Sequence, residues 1–229
     1  MRKKLIGIPG WSQGSESFGV TKPYLEYIKQ YGTAVVLSPD TFIENLDLLF
    51  LPGGKDLING NSSDFSFYNS AGEAFLEWFD ANTLRHYIDS GTSVWGTCRG
   101  MQAIMKHFGA PLIQHIWWDH GDSKDEDDLK AHKIIYTNKI TKEVWDNAEI
   151  NLPKEIESFH HQGVFVSDLP EDFELLACSA EADKELRLVE YARHKTLPIV
   201  VKQGHSERSF DELSDYLIKG LLDKSPITV

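Results

Sequence analysis

Cysteine is scarce in this sequence: the 229 residues include only two, Cys98 and Cys178. Two cysteines in a chain of this length do not form a disulfide framework, so we predict two free thiols and a reducing compartment. Long apolar runs are also lacking, and the apolar stretch near the start is too short for the core of a signal peptide. We therefore expect a cytoplasmic protein with no membrane partner.

Positive charge is in deficit, because 23 Lys and Arg residues stand against 35 Asp and Glu, giving a formal net charge of −12. A field of that sign repels nucleic acids and anionic membranes, so it argues against both and favours small ligands or proteins as partners. The composition is otherwise ordinary for a globular protein, with 41% hydrophobic and 25% charged residues. The length allows a full core, and we expect one domain over residues 1–229.

The segment 93–102 carries the most specific local signal in the chain. An apolar strand pattern runs through Gly-x-Cys-x-Gly, centred on Cys98, into a helical pattern, which predicts a nucleophile elbow. Gly96 and Gly100 fall where a sharp strand-to-helix turn is most crowded. The first turn of the following helix would favour a thiolate at Cys98. The alternative is a buried structural cysteine in the same connection, and this motif alone does not separate the two.

Apolar strands alternate with helical patterns in the first half of the chain. Strands are predicted at 4–8, 34–37, 46–51 and 93–97, with helices at 22–31 and 72–87 and a loop at 10–19. Strands that are apolar throughout and separated by helices indicate a mostly parallel sheet covered on both faces. Further strands, at 132–137, 175–180, 188–192 and 199–202, suggest a smaller, partly antiparallel region that closes with a hairpin.

Two turns follow strands at the sheet edge where ligands of such folds bind. One is Pro52-Gly53-Gly54, whose glycines let backbone N–H groups approach a ligand; the alternative is a plain Pro-Gly turn. The other leads to His205 and Glu207, which can supply the base that a thiol nucleophile needs and the group that orients that base. A lone His-x-Glu pair is common by chance, so its weight comes from occurring together with the elbow.

The segment 115–131 is irregular and acidic, and we expect a surface loop there. The histidines in and around it lack the spacing of a zinc motif, so we predict no metal and no cofactor. These histidines are His107, His115, His120 and His132.

Four ordered motifs resemble the class I glutamine amidotransferase-like family, and within it the γ-glutamyl-γ-aminobutyrate hydrolase group. The family patterns are Leu-Pro-Gly-Gly-x-Asp, Gly-x-Cys-Arg-Gly-x-Gln, Ser-x-His-His-Gln and Gln-x-His-Pro-Glu, and they are similar to residues 51–56, 96–102, 158–162 and 203–207. The resemblance covers nearly the whole chain. It implies a flavodoxin-like α/β fold, with a mostly parallel sheet, helices on both faces and a small antiparallel addition.

The resemblance also implies a mechanism and a set of site residues. It implies hydrolysis of a γ-glutamyl amide, either glutamine or a γ-glutamyl amine, through a γ-glutamyl thioester. The implied catalytic triad is Cys98, His205 and Glu207. The implied oxyanion hole is formed by backbone N–H groups of Gly53, Gly54 and Arg99. The implied substrate-binding residues are Gln102, Ser158, Phe159 and His161.

Three functions remain open at this stage. The first is a stand-alone hydrolase of a small γ-glutamyl substrate, and the second is a glutaminase subunit that supplies ammonia to a separate synthase partner. The third, less favoured, is a catalytically inactive binding protein on the same fold. A homodimer is a further open alternative for the assembly.

The chain departs from the family pattern beside the predicted base. Ser206 replaces the usual Pro, and Gly204 replaces the aromatic residue often found before the histidine. Both replacements add backbone freedom, so we expect His205 to be held loosely. On that basis Ser206→Pro is expected to raise kcat a few-fold. The alternative is that Ser206 has a role of its own, such as a hydrogen bond to Glu207 or room for a different substrate or partner, in which case Pro would be neutral or harmful.

Overall fold

The computed structural model describes residues 2–12, 17–57, 71–116, 130–148 and 150–223. In chain order its strands are β1 (Leu5–Pro9), β2 (Trp11–Ser12), β3 (Phe18–Gly19), β4 (Thr33–Leu37), β5 (Leu48–Leu51), β6 (Ser93–Thr97), β7 (Lys130–Tyr136), β8 (Glu155–Ser158), β9 (Phe173–Ser179), β10 (Val189–His194) and β11 (Ile199–Lys202). Its α-helices are α1 (Lys22–Ile28), α2 (Ala71–Trp78), α3 (Leu84–Asp89), α4 (Arg99–His107), α5 (Asn138–Asn147) and α6 (Glu212–Asp223). No helix in these ranges is long and apolar enough to cross a membrane.

One sheet of nine strands, in the order β4-β1-β5-β6-β11-β10-β9-β7-β8, organises the described residues. The pairs from β4 to β11 are parallel, and the pairs from β11 to β8 are antiparallel. The predicted parallel sheet with an antiparallel addition is therefore confirmed. The antiparallel strands extend the same sheet, and the predicted hairpin is the pairing of β10 with β11.

The apolar strands are buried because both faces of the sheet are covered. Along β5, Leu49 and Leu51 pack into one core cluster and Leu48 and Phe50 into the other, as the alternation of side chains in a strand requires. The first cluster includes residues of α3 and α4, and the second includes residues of α1 and α6. The prediction of helices on both faces is thus confirmed.

Several elements differ from the sequence predictions. The segment predicted as a loop at 10–19 contains the two paired strands β2 and β3, and α5, α6 and β8 were not predicted. Most of the predicted loop at 115–131, with His120, lies outside the described residues. The helix predicted at 72–87 is interrupted by a π-helical turn at Phe79–Thr83.

That π turn carries Asp80, whose carboxylate pairs with the guanidinium of Arg99 at 2.8 Å. The side chain of Arg99 is only 3% exposed and that of Asp80 15%. Burial raises the pKa of Asp80, and the positive charge of Arg99 offsets only part of that effect. The pair anchors the start of α4, directly after Cys98, to the helical layer on that face of the sheet.

We predict that Asp80→Ala lowers the free energy of unfolding by about 3–5 kcal/mol, because it leaves the charge of Arg99 buried without its partner. Asp89→Ala is the matched control, since Asp89 pairs with Arg85 on the exposed side of α3, and it should cost no more than about 0.5 kcal/mol. Urea denaturation of both variants measures the difference. Equal losses would show that the buried pair does not anchor α4.

Candidate active site

Cys98 lies between β6 and α4 with φ 50° and ψ −110°, and it is the one non-glycine residue with positive φ in the described part of the chain. The two neighbouring glycines explain how this turn fits. A Cβ on Gly96 would lie 2.8 Å from the carbonyl oxygen of Gly100, and a Cβ on Gly100 would lie 2.3 Å from that of Leu51. The strand-turn-helix geometry that the sequence predicts is therefore present.

The register of the parallel strands brings His205 to Cys98. In the pairing of β6 with β11, Thr97 lies opposite Lys202, and the N–H of Cys98 donates to the carbonyl of Lys202 at 2.8 Å. The chain then reaches His205 three residues later, on the same edge of the sheet. Gly53 follows the neighbouring strand β5, and a Cβ there would lie 2.8 Å from His205 Cε1 and 3.4 Å from Cys98 Cβ.

The imidazole of His205 is held by Glu207. Nδ1 of His205 lies 2.6 Å from Oε1 of Glu207, and both side chains are buried. Nε2 of His205 is also buried and has no hydrogen-bond partner among the residues described. This nitrogen is the candidate for proton exchange with Cys98, a residue that is only 5% exposed.

Neighbouring groups raise the pKa of this histidine. Burial acts to lower the pKa of His205, but its interactions with Cys98 and, less strongly, with Glu207 outweigh burial and raise the pKa to about 10. Burial acts to raise the pKa of Glu207, while His205 and, more weakly, Tyr24 bring it below its ordinary value. The raised pKa favours the imidazolium form of His205, which suits a proton donor to a leaving amine.

The Gly-Gly turn lies directly beside the elbow, but its two N–H groups differ. The N–H of Gly53 donates to the hydroxyl of Tyr24 at 2.8 Å, so the expected role of Gly53 as an oxyanion donor is revised. A Cβ on Gly54 would lie 3.0 Å from Cδ of Arg99, which brings Gly54 close to the start of α4. Arg99 is the first residue of that helix, where N–H groups have no partner within the helix. Gly54 and Arg99 remain the candidate donors.

The predicted substrate-binding residues separate into two groups. Phe159 and His161 lie close to the elbow and to the segment after the Gly-Gly turn. The carbonyl oxygen of Phe159 lies 3.9 Å from Sγ of Cys98, and His161 Nε2 lies 2.8 Å from Oδ1 of Asp56, two residues after Gly54. Gln102 is buried and donates to the carbonyl of Gln162 at 3.1 Å, so its amide connects α4 to the segment after β8. Ser158 is the last residue of β8, directly before Phe159.

Sequence reasoning missed how Gln162 joins two of the motifs. Its side chain accepts from the N–H of Leu57 and donates to the carbonyl of Leu57, both at 2.9 Å. This pair of bonds connects the segment after β8 to the Gly-Gly turn. The signal was present, because Gln162 closes the Ser-x-His-His-Gln motif, but its partner is remote in sequence. In the described ranges, no three His, Cys, Asp or Glu side chains are grouped as a metal ion would require.

A family model described as peptidase C26 matches residues 5–207, which is most of the chain. The chain belongs to the peptidase C26 family. The resemblance to class I glutamine amidotransferase-like proteins is thereby confirmed at the level of the family. Membership of the γ-glutamyl-γ-aminobutyrate hydrolase group stays a prediction.

Relatives of this C26 family member include two curated proteins, each named as one subunit of a glutamine-hydrolyzing GMP synthase. The protein from Thermococcus kodakarensis is 31% identical over 129 residues, covering 56% of this chain and 58% of its own length. The protein from Thermoplasma acidophilum is 30% identical over 122 residues, covering 53% of this chain and 51% of its own length. The chain thus matches only a little over half the length of either.

Solved structures agree with the fold. A putative GMP synthase subunit from Thermoplasma acidophilum aligns with a TM-score of 0.60 at 20% identity, covering 97% of this chain and 94% of its own. A glutamine amidotransferase from Thermotoga maritima aligns with a TM-score of 0.54 at 16% identity, covering 100% of this chain and 87% of its own. At such identities the likeness establishes the α/β architecture alone.

The turn that carries His205 in this C26 chain is held firmly by a buried polar network. Oγ of Ser206 accepts from Lys202 Nζ at 2.6 Å and lies 2.8 Å from Oγ of Ser214. Lys202 also pairs with Asp211 at 2.6 Å. Directly before His205, a Cβ on Gly204 would lie 3.0 Å from the carbonyl oxygen of Glu157. The expectation that Ser206 and Gly204 loosen this turn is therefore wrong.

Ser206→Pro should consequently lower kcat, because it removes a hydroxyl that partners a buried ammonium group. We expect it to reduce the free energy of unfolding by about 1–3 kcal/mol, as for a buried hydrogen bond to a charged group. Ser206→Ala is the matched variant, since it removes the hydroxyl without adding the proline ring. Steady-state kinetics and urea denaturation test both variants. A higher kcat in Ser206→Pro would support the expectation that the turn of His205 is held loosely.

The charge balance at His205 gives a second prediction. In Cys98→Ala the pKa of His205 should fall further than in Glu207→Gln, because Cys98 contributes more to raising it. A folded-state pKa near 10, against an ordinary 6.5, means that the imidazolium stabilises the fold fully below about pH 6.5 and that this contribution is lost as the pH rises through about 10. NMR titration of the imidazole measures both variants. An unchanged pKa in Cys98→Ala would contradict the pairing of thiolate and imidazolium.

Proposed function

We propose that this chain is a cysteine hydrolase of γ-glutamyl amides, acting on glutamine or on a γ-glutamyl amine. The observation that carries the proposal is the convergence of Cys98, at positive φ, with the buried pair of His205 and Glu207 on one edge of the sheet. Membership of the peptidase C26 family supports a glutamine amidotransferase-like hydrolase. The substrate within that class is part of the proposal.

In the proposed reaction, the thiolate of Cys98 attacks the side-chain carbonyl carbon of the γ-glutamyl group. The oxyanion that forms would accept hydrogen bonds from the N–H groups of Gly54 and Arg99, and such preorganised donors are worth several kcal/mol. His205 then donates its proton to the leaving nitrogen as the C–N bond breaks, which leaves a γ-glutamyl thioester. Water attacks the thioester with His205 as base, and the thiolate departs.

The pair of His161 and Asp56 supports a polar subsite for the glutamyl end of the substrate. Both side chains are partly exposed, at 27% and 21%, and they lie on the two segments that flank Cys98. The carbonyl of Phe159 adds an acceptor beside the sulfur. A small, polar γ-glutamyl compound suits such a lining.

A second function is a glutaminase subunit that supplies ammonia to a separate synthase. It is favoured by the relatives from Thermococcus and Thermoplasma, each named as one subunit of a GMP synthase that hydrolyses glutamine. The two functions share the chemistry at Cys98 and differ in the fate of the ammonia. In the second, the isolated chain would turn glutamine over slowly until a synthase binds.

We predict that Cys98→Ala and His205→Ala abolish turnover, while Glu207→Gln lowers kcat and retains more activity than Cys98→Ala. Cys178→Ser is the matched control, because that thiol is buried in β9 and burial raises its pKa. The measurement is ammonia or amine release from glutamine and a panel of γ-glutamyl amines. Loss of turnover in a folded Cys178→Ser would reassign the nucleophile.

Labelling with a diazo-ketone analogue of glutamine separates an enzyme from an inactive binding protein. The reagent should modify the wild-type chain and Cys178→Ser but not Cys98→Ala. Assays with and without a synthase subunit then separate the two enzymatic functions. Robust turnover of a γ-glutamyl amine by the isolated chain supports the stand-alone hydrolase. Glutaminase activity that rises only when the synthase subunit is added supports the second function.

A further inference from the structure

Tyr24, on α1, reaches the candidate site from the helical layer, although no catalytic motif includes it. Its side chain is buried, and its ring packs edge-on against Phe50 with ring centroids 6.0 Å apart. Its hydroxyl oxygen accepts the N–H of Gly53 at 2.8 Å. The tyrosine therefore contacts the turn that precedes the candidate oxyanion donor Gly54.

The same hydroxyl is electrostatically coupled to Glu207. Because its oxygen accepts from Gly53, its own proton remains free to be donated. After burial, the charge of Glu207 is the strongest influence that raises the pKa of Tyr24. Oε1 of Glu207 is occupied by His205, and Oε2 is buried with no hydrogen-bond partner among the described residues. Burial raises the pKa of Tyr24 well above its ordinary value, so the phenol keeps its proton.

Gly53 shows how closely these groups converge. A Cβ on this residue would lie 2.6 Å from the Tyr24 hydroxyl and 2.8 Å from His205 Cε1. The hydroxyl, the imidazole and the glycine turn thus share one crowded point, and a displacement of one is transmitted to the others.

We propose that Tyr24 is a positioning residue: its hydroxyl binds the Gly53-Gly54 turn where that turn meets the imidazole of His205, and so aligns the base and the oxyanion donors with each other. The inference rests on the proposed function, because it assigns Tyr24 to that same site. In this proposal Tyr24 acts through the groups that it positions, since small misplacements of reacting groups are costly in rate.

Tyr24→Phe tests the proposal, because it removes the hydroxyl and keeps the ring. We expect kcat to fall about ten-fold with KM within about two-fold, since a misplacement of 1 Å can cost about a hundred-fold. Tyr87→Phe is the matched control: the Tyr87 hydroxyl also accepts a backbone N–H, from Ile43 at 3.1 Å, but lies away from the site. It should leave kcat unchanged while losing comparable thermal stability.

A second readout does not depend on turnover. The NMR signal of the His205 Nδ1 proton should shift in Tyr24→Phe and stay in place in Tyr87→Phe. The Tyr24 hydroxyl binds the turn that lies against the imidazole, whereas the Tyr87 hydroxyl binds Ile43 and Thr41. Unchanged kcat and an unchanged signal in a folded Tyr24→Phe would overturn the proposal. Wild-type protein that turns over no γ-glutamyl substrate would instead reject the proposed function, and the NMR comparison would still decide the role of Tyr24.

Discussion

The backbone of Cys98, held at positive φ between a buried strand and a helix, is the constraint on which the rest of the site depends. Such a conformation costs about 1–3 kcal/mol and persists only where the surroundings enforce it. Here they do so from both sides: the N–H of Cys98 is bonded to β11, and Gly100 lies against the backbone of β5. The strained residue is therefore fixed by the two strands that flank its own.

Those two strands also deliver the other chemical groups. β5, β6 and β11 are parallel and end together, with Leu51 opposite Gly96 and Lys202 opposite Thr97. Three segments far apart in sequence consequently emerge at one edge, as is general for ligand sites of parallel sheets. The buried pair of Arg99 with Asp80 fixes the elbow helix from one face, and that of Lys202 with Asp211 fixes the histidine turn from the other. Each buried charge is compensated, which is the condition for tolerating it.

The sequence allowed the sheet, the elbow and the His-x-Glu turn to be predicted, because apolar strands and paired glycines are local signals. It did not allow Tyr24 to be recognised, since one aromatic residue among several on α1 looks like ordinary core. The π turn that carries Asp80 was missed because no local pattern indicated it, and the partner of Asp80, Arg99, is remote in sequence. Ser206 was misjudged for the same reason: its partners Lys202 and Ser214 lie on different elements, and no local pattern connects them.

The error at Ser206 shows two physical ways to hold a catalytic turn. A proline restricts the unfolded chain, so its benefit is entropic and needs no partner. A serine in a buried network restricts the folded turn through hydrogen bonds, and it requires an ammonium group and a carboxylate that are themselves buried. This chain has the second arrangement, in which Tyr191 of β10 adds a bond to Asp211 at 2.9 Å. The antiparallel strands thus contribute to the site as well as to the sheet, because β10 supports the network beneath His205.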